Sequence, residues 1–403
     1  MDEGVTVQMN TDPQVVDMAL GHPSPGLLPL DLMRTAAEQR FDQGDPLILQ
    51  YGQEQGDLGF RTELARFLEQ RTGGDVAPET LMVTGGVSQA IALLCSLYTR
   101  PGDEVVVEDP TYFLALRIFA DFGLKVTSLP GDAEGLDPEA LEDYVRTRNS
   151  AVPLRFLYTI PVFQNPTGKT LSSKRRQRLI NLAEKYGFLI VADEAYQLLG
   201  YEVAPPPPMA CSASSKVISL GSFSKILGPG LRLGWLQAGA GADLPSEARG
   251  GAGTDLRTAP EHIQKLINCG MLDSGGGLNP FTSSIVRSMF QSGSMDRHLD
   301  RLIDVYRQRM NVLSRSIRTE LSEYMEFKSP GGGYFIWLKL PDGVDTRRLK
   351  KAAPSYKVNF IPGSRTSSQG SFEQYLRLSI SYNDELRLQL GVQRLAELMR
   401  GAT

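Results

Sequence analysis

Lys225 sits in a loop of small residues, Gly221-Ser222-Phe223-Ser224-Lys225-Ile226-Leu227-Gly228-Pro229-Gly230-Leu231-Arg232, with an arginine seven positions on. A lysine amine is nucleophilic only when deprotonated. A site that desolvates it or sets a cation beside it lowers its pKa and readies it to form an imine with a carbonyl. Arg232 can be that cation and can clamp a phosphate dianion at the same time, with Ser222 and Ser224 donating further hydrogen bonds. A solvated loop lysine is the competing reading of the same residues.

Four other segments carry groups of comparable use. Thr84-Gly85-Gly86-Val87-Ser88-Gln89 leads into the apolar stretch 90–97. That is a glycine turn at a helix start, where free N–H groups and the helix dipole suit a phosphate, although an ordinary capped turn reads the same way. Glu108-Asp109-Pro110-Thr111-Tyr112 offers an aromatic ring for stacking or for packing. In Pro161-Val162-Phe163-Gln164-Asn165-Pro166-Thr167-Gly168 the Asn-Pro pair forces a turn and leaves the Asn165 amide free to donate. Asp193-Glu194-Ala195-Tyr196 puts an acid at the tip of the apolar run 188–192. A buried carboxylate is costly without a partner, and a helix N-cap is the plainer role for Asp193.

Each of these groups follows a short β-rich apolar run, at 81–83, 104–107, 156–159, 188–192 and 216–220. Apolar runs alternating with helical periodicity predict an α/β core, a mostly parallel sheet covered on both faces by helices. Ligands bind beyond the carboxyl ends of such strands, where all five groups stand. The stretches 173–186 and 295–319 have helical spacing and supply covering helices and a long connecting helix. Toward the C-terminus, 333–340 and 375–381 alternate in polarity, which predicts a smaller α+β domain with one solvated sheet face. The proline run 205–208 and the Gly/Ala-rich stretch 238–253 read as surface loops, the second a disordered insert. Gly239-Ala240-Gly241 lacks the third glycine of a dinucleotide fingerprint, since Leu244 stands in its place.

The chain of 403 residues, 41% hydrophobic and 22% charged, is too long for one small domain. A net charge of −4 without long runs of either sign gives no footprint for nucleic acid or an anionic membrane. Cys95, Cys211 and Cys269 and the three histidines His22, His262 and His298 are scattered, so no zinc spacing or Ser/His/Asp set emerges. The acidic start lacks a signal-peptide pattern and no run of about 18 apolar residues occurs, so a cytoplasmic location is expected.

A phosphate seat, a stacking ring, an amide donor, a carboxylate and a nucleophilic amine together outline pyridoxal 5'-phosphate. Its ring nitrogen withdraws electrons only while protonated, which calls for a carboxylate beside it. Asp193 fits that place, Asn165 and Tyr196 can hydrogen-bond the ring's phenolate oxygen, and Tyr112 can stack on its face.

With these motifs assembled, the chain resembles the class I/II, fold type I pyridoxal-phosphate aminotransferases, in particular the kynurenine/2-aminoadipate branch. The resemblance rests on Tyr51-Gly52 with Gly56, the Gly86-Val87-Ser88 turn, Asn165-Pro166-Thr167-Gly168, Asp193-Glu194-Ala195-Tyr196, Ser222-Phe223-Ser224-Lys225, Arg232, and Tyr375-Leu376-Arg377-Leu378-Ser379. It implies transfer of an amino group between an L-amino acid and a 2-oxo acid, with Lys225 as both cofactor anchor and base. It implies a large domain over 46–300 and a small one from 1–45 and 301–403. A homodimer follows as well, in which Tyr51 reaches the partner's cofactor phosphate. Arg377 becomes the clamp for the substrate α-carboxylate, and Gly21 lines the substrate side; residues 276–281 and Tyr334 border the pocket. The chain departs from the pattern where Arg365-Thr366 follows Pro362-Gly363-Ser364 in place of an aromatic, so Arg365 is expected to influence acceptance of a second substrate carboxylate. Elimination, cyclisation or oxidation would use the same cofactor-binding residues and stays open beside transamination. A transcription factor on this scaffold needs a DNA-binding module for which the residues before Tyr51 leave little room, and a catalytically dead binding protein sits poorly with Lys225, Asp193, Asn165 and Arg232 together.

Overall fold

The computed structural model describes residues 12–148, 151–202, 204–212, 214–240, 259–321 and 327–402. Eight strands form the large sheet: β1 (Leu81–Thr84), β2 (Glu104–Asp109), β3 (Lys125–Asp132), β4 (Gly135–Leu136), β5 (Leu154–Thr159), β6 (Leu189–Asp193), β7 (Val217–Ser222) and β8 (Gly234–Ala238). Their spatial order is β1-β8-β7-β6-β5-β2-β3-β4. The run from β7 to β3 is parallel, as the apolar stretches predict. β8 is the exception inside the sheet, antiparallel to both β7 and β1. The Lys225 loop turns the chain straight back onto β7, so β8 needs no crossover helix. Gly221 permits that return, because a Cβ there would overlap the Trp235 ring at 1.9 Å.

Alternate residues of the same strands enter two separate cores. Val105, Val107, Phe156, Tyr158 and Val191 pack with the helix Val87–Tyr98, while Val106, Leu157, Ile190 and Ala192 pack with the helix Ser173–Tyr186. Both faces are therefore covered, and the architecture is α/β. The helix Ser173–Tyr186 shows why its sequence folds so. Ser172 caps its start by accepting from Arg175 N, Gly187 ends it at φ +80°, and Leu179, Ile180, Leu182 and Ala183 form its buried stripe.

The small sheet is antiparallel, with β9 (Phe335–Lys339) and β10 (Ile361–Pro362) flanking β11 (Tyr375–Ser379). Its expected solvated face survives only at one end, where Trp337, Lys339 and Tyr375 are half-buried. Residues 376–379 of β11 are all buried, because Tyr375 and Trp337 stack 5.3 Å apart at one end and the N-terminal segment covers the rest. Ser379 N donates to Met18 O, and Val16–Asp17 pairs in parallel with Val358–Asn359. The 27-residue helix Ser294–Glu320 and the helix Glu385–Ala402 pack nearby. The proline run 205–208 is a loop held down by side chains, with Arg176 Nη1 donating to Pro207 O at 2.8 Å and Gln197 donating to Pro206 O. Of the Gly/Ala-rich stretch, residues 241–253 lie outside the described residues. Among the described residues no helix is long and apolar enough to cross a membrane.

Candidate active site

The carboxyl ends of β1, β2, β5, β6 and β7 open onto one cavity of about 450 Å³, within the range of small-molecule pockets. Of the residues singled out from sequence, Gly21, Val87, Ser88, Tyr112, Asn165, Asp193, Tyr196, Ser222, Ser224, Lys225, Arg232 and Arg377 all line it. Gly86 lies directly behind Arg232. Tyr51 does not reach the cavity of its own chain; its side chain is turned outward, 80% exposed.

Lys225 projects from the loop after β7. Its Nζ donates to Gly21 O at 2.8 Å and lies 6.0 Å from the centre of the Tyr196 ring. Burial depresses its pKa to about 8, Asp193 opposes the shift, and the Arg377 and Arg232 charges add to it. The solvated-lysine reading is thereby excluded. Arg377, remote in sequence, lowers Lys225 more than the neighbouring Arg232 does.

The phosphate-sized end is built on the helix Val87–Tyr98. Its N-cap, Gly86 at φ +95°, provides no side chain to cap the first-turn N–H groups, and Val87 and Ser88 of that turn line the cavity. Arg232, itself in the left-handed region at φ +46°, donates from Nη2 to Gly85 O at 2.9 Å. A Cβ on Gly86 would come within 3.2 Å of that same nitrogen. Ser222 Oγ accepts from Ser224 N at 3.0 Å, which folds the serine loop toward the same end.

Asp193 is buried at the tip of β6 and makes no ion pair within 4 Å among the described residues. It does not cap a helix; Oδ1 accepts from Ala195 N at 3.2 Å in a local turn. Oδ2 accepts from Tyr158 Oη at 2.8 Å, a partner that sequence reading missed. The signal for it was a tyrosine inside an otherwise apolar strand run. Burial raises the Asp193 pKa, and the bond from Tyr158 works against that rise. The next residue, Glu194, points elsewhere: it accepts from Met209 N, and burial lifts its pKa to about 7.

On the opposite wall, Arg377 Nη1 donates to Asn165 Oδ1 at 2.9 Å and Nη2 to Ala19 O at 2.6 Å. Its guanidinium lies 4.0 Å from the centre of the Phe335 ring. Burial lowers its pKa to about 10. It forms no salt bridge among the described residues, and its buried Nε has no partner. A buried cation so placed suits an incoming carboxylate. The alternation of Leu376, Arg377 and Leu378 along β11 orients it toward the cavity.

Two expectations need correction. Tyr334 does not border the pocket; it is wholly buried with its hydroxyl on the Lys225 carbonyl, and strand alternation brings Phe335 to the wall instead. Residues 276–281 do not line the cavity either. Gly277 bridges to Gly52, and the Asn279 amide donates to Arg232 O, so the segment supports the site from behind. Arg365 packs 4.9 Å from the centre of the Phe113 ring, and Phe113 lines the cavity. His22, next to Gly21 in the segment expected on the substrate side, lines the cavity too, whereas sequence reading missed Leu28, Phe113, Leu114 and Ile361, wall residues whose types carry no local signal of chemistry.

The donor set fits pyridoxal phosphate. An uncapped helix start with Arg232 beside it, the buried Asp193 carboxylate and the Lys225 amine with its depressed pKa line the same cavity. Among the described residues no cluster of three metal-ligating groups occurs.

The family model described as aminotransferase class I and II matches residues 14–395. An aromatic-amino-acid aminotransferase of Thermococcus litoralis is 31% identical over 96% of this chain and 88% of its own length. Among solved structures, a multiple substrate aminotransferase from Thermococcus profundus gives a TM-score of 0.85 at 30% identity, covering 97% of this chain and 92% of that one. An α-aminoadipate aminotransferase from Thermus thermophilus, solved with N-(5'-phosphopyridoxyl)-L-leucine, gives 0.82 at 29% identity, covering 96% of this chain and 93% of its own.

Proposed function

The chain belongs to the class I and II aminotransferases, and from that premise we propose that the cavity around Lys225 is its active site and takes bulky apolar or aromatic L-amino acids as amino donors. It is a pyridoxal-phosphate-dependent enzyme that moves an amino group between an L-amino acid and a 2-oxo acid. One observation carries the proposal: Lys225, Arg232 and Arg377 line one cavity with Asp193 and Asn165, while Pro25, Leu28, Phe113, Leu114 and Ile361 give it an apolar stretch of wall.

Pyridoxal phosphate, when bound, supplies a carbonyl carbon that links to amines and a protonated ring that draws electrons from the substrate α-carbon. Arg232, the N–H groups of Val87 and Ser88, and the Ser222 and Ser224 hydroxyls hold its phosphate. Ionised Asp193 would keep the ring nitrogen protonated, Asn165 and Tyr196 would donate to the ring oxygen, and Tyr112 would pack on the ring face. Arg377 binds the donor's α-carboxylate and thereby orients its α-hydrogen toward Lys225. Lys225 Nζ, neutral at mildly alkaline pH, takes that proton as general base. Both half-reactions use the same residues, so ping-pong kinetics follow.

With Lys225, Arg232 and Arg377 so engaged, Pro25, Leu28, Phe113, Leu114 and Ile361 are left to receive the side chain. Arg365 beside Phe113 then governs how far acidic donors are tolerated. An unchanged acidic-to-neutral substrate ratio in Arg365→Ala removes it from this reading.

A homodimer is part of the proposal. Leu30, Leu47, Leu49 and Tyr51 are 71%, 70%, 75% and 80% exposed, large apolar side chains that a second copy would cover. Tyr51 would then meet the partner's cofactor phosphate. The pairing of Val16–Asp17 with Val358–Asn359 supports a small domain drawn from both chain ends, 1–45 and 301–403, beside a large one over 46–300. The free thiols Cys95, Cys211 and Cys269 suit the cytoplasm.

The test is to mix the yellow holoenzyme with single amino acids, without acceptor, and follow the cofactor spectrum beside 2-oxo acid release. Stoichiometric oxo acid is expected, faster from aromatic and branched donors than from acidic ones. Catalytic ammonia release would instead indicate elimination or oxidation, and preference for acidic donors would overturn the substrate class.

A further inference from the structure

We propose that Tyr334 is a positioning residue for the transfer reaction, its hydroxyl and its main chain together fixing the separation between Lys225 and Arg377. The inference rests on the roles given to those two residues above.

Tyr334 stands where the two sheets meet. Its Oη donates to the main-chain carbonyl of Lys225 at 2.6 Å, and its own carbonyl accepts from Ile380 N at 3.0 Å. Immediately beyond, β9 and β11 pair with Trp337 opposite Arg377. One residue therefore bonds directly to the loop of the base and to the strand of the carboxylate anchor. A phenol has a single proton, and the Lys225 carbonyl is the nearer acceptor. The Tyr306 oxygen, 3.2 Å away, is the weaker second acceptor of that same proton. Burial holds the Tyr334 phenol well above its ordinary range and lifts Tyr306 to about 12, so both protons persist at working pH.

The surroundings leave Tyr334 little freedom. Its ring meets Tyr306 edge-on at 5.0 Å and Tyr196 at 5.4 Å. Gly333, at φ +74°, lies so close to Phe163 that a Cβ would stand 2.6 Å from the phenylalanine Cβ, and its N–H donates to Leu199 O at 2.9 Å. The helix carrying Tyr306 also carries Arg309, whose Nη1 donates to Ser381 O at 2.9 Å. The long helix thus backs both ends of the clamp. A base and a carboxylate anchor must keep their spacing closely, since a shift of about 1 Å costs on the order of a hundredfold in rate.

The experiment uses the holoenzyme. Tyr334→Phe removes one oxygen and keeps the ring. Loss of one buried hydrogen bond predicts a fall in kcat of roughly tenfold, with the pH midpoint of the cofactor's visible band moved upward as the Lys225 loop relaxes. Tyr306→Phe should shift the midpoint in the same direction by less. Unaltered kcat and midpoint in Tyr334→Phe overturn the proposal, and so do equal losses of kcat in the two variants with an unmoved midpoint, which mark a general packing defect. Should Tyr334→Phe not accumulate as folded protein, Tyr306→Phe decides alone, and an unmoved midpoint there sinks the idea. Turnover surviving in Lys225→Ala would defeat the active-site assignment itself, which keeps the two failures apart.

Discussion

Arg377 Nη1 and Asn165 Oδ1 are 2.9 Å apart, so the guanidinium offered to a substrate carboxylate also fixes which way the Asn165 amide points. With its oxygen engaged by Arg377, the amide has its NH₂ beside the Tyr196 hydroxyl, and under the proposed function it donates to the cofactor oxygen. Under the proposed function, substrate anchoring and cofactor tuning share that one hydrogen bond.

Arg377→Lys should damage both functions, because an ammonium cannot bind a carboxylate in two places while holding Asn165. Loss of a charge-assisted bond predicts a decrease in kcat/KM of roughly 10- to 100-fold. Steady-state kinetics should show a raised KM for the donor together with a shifted cofactor spectrum. A change confined to KM would leave the coupling to Asn165 without support.

The amine of Lys225 titrates near 8 instead of the ordinary 10.5, since burial and the flanking Arg377 and Arg232 charges disfavour its charged form. The neutral fraction falls tenfold for each pH unit below that value. Uptake of pyridoxal phosphate by the apoprotein should accordingly accelerate as pH rises and level off just above 8. Stopped-flow absorbance measures this, and acceleration continuing toward 10 would mean that Lys225 is not depressed.

Tyr158→Phe takes away the hydroxyl that favours ionised Asp193. Burial already raises the Asp193 pKa, and losing the donor raises it further. A smaller ionised fraction at acidic pH moves the acid limb of the kcat/KM profile upward, with a rate loss of roughly fivefold below it. A profile superimposable on that of the unaltered enzyme would count against the role of Tyr158.

Gly86→Ala adds a methyl 3.2 Å from Arg232 Nη2 at a φ of +95°, a backbone region that side chains disfavour. The strain is worth about 1–3 kcal/mol. It should emerge as weaker retention of pyridoxal phosphate on dialysis, ahead of any loss of folded protein. Full retention would show that Arg232 yields without cost.

If Tyr51 serves the partner's cofactor, a Lys225→Ala subunit paired with a Tyr51→Phe subunit re-creates one intact site. Mixing the two variants under conditions of subunit exchange should then raise activity above that of either alone, and no gain would remove the cross-subunit role.

Much of the site was legible because its groups follow strand ends. Gly86, Tyr112, Asn165, Asp193 and Lys225 each stand just past an apolar run, and strand-end chemistry is local: a short run, a turn residue, a reactive side chain. Tyr158 was hidden because a tyrosine inside a strand reads as core until its hydroxyl is seen on Asp193. Tyr334 was misplaced by one residue, since a one-residue step along a strand exchanges the cavity face for the buried one.

The sequence alone determined the α/β class, the order of the strand ends and the kinds of groups they carry, because those depend on neighbours a few residues away. Only the tertiary structure decided how those groups meet. The bond from Lys225 to Gly21 spans 204 positions and that from Arg377 to Asn165 spans 212. It also decided that burial, joined by the Arg377 and Arg232 charges, depresses the Lys225 pKa. Desolvation and long-range charge are set by packing from the whole chain, which no local run of residues encodes.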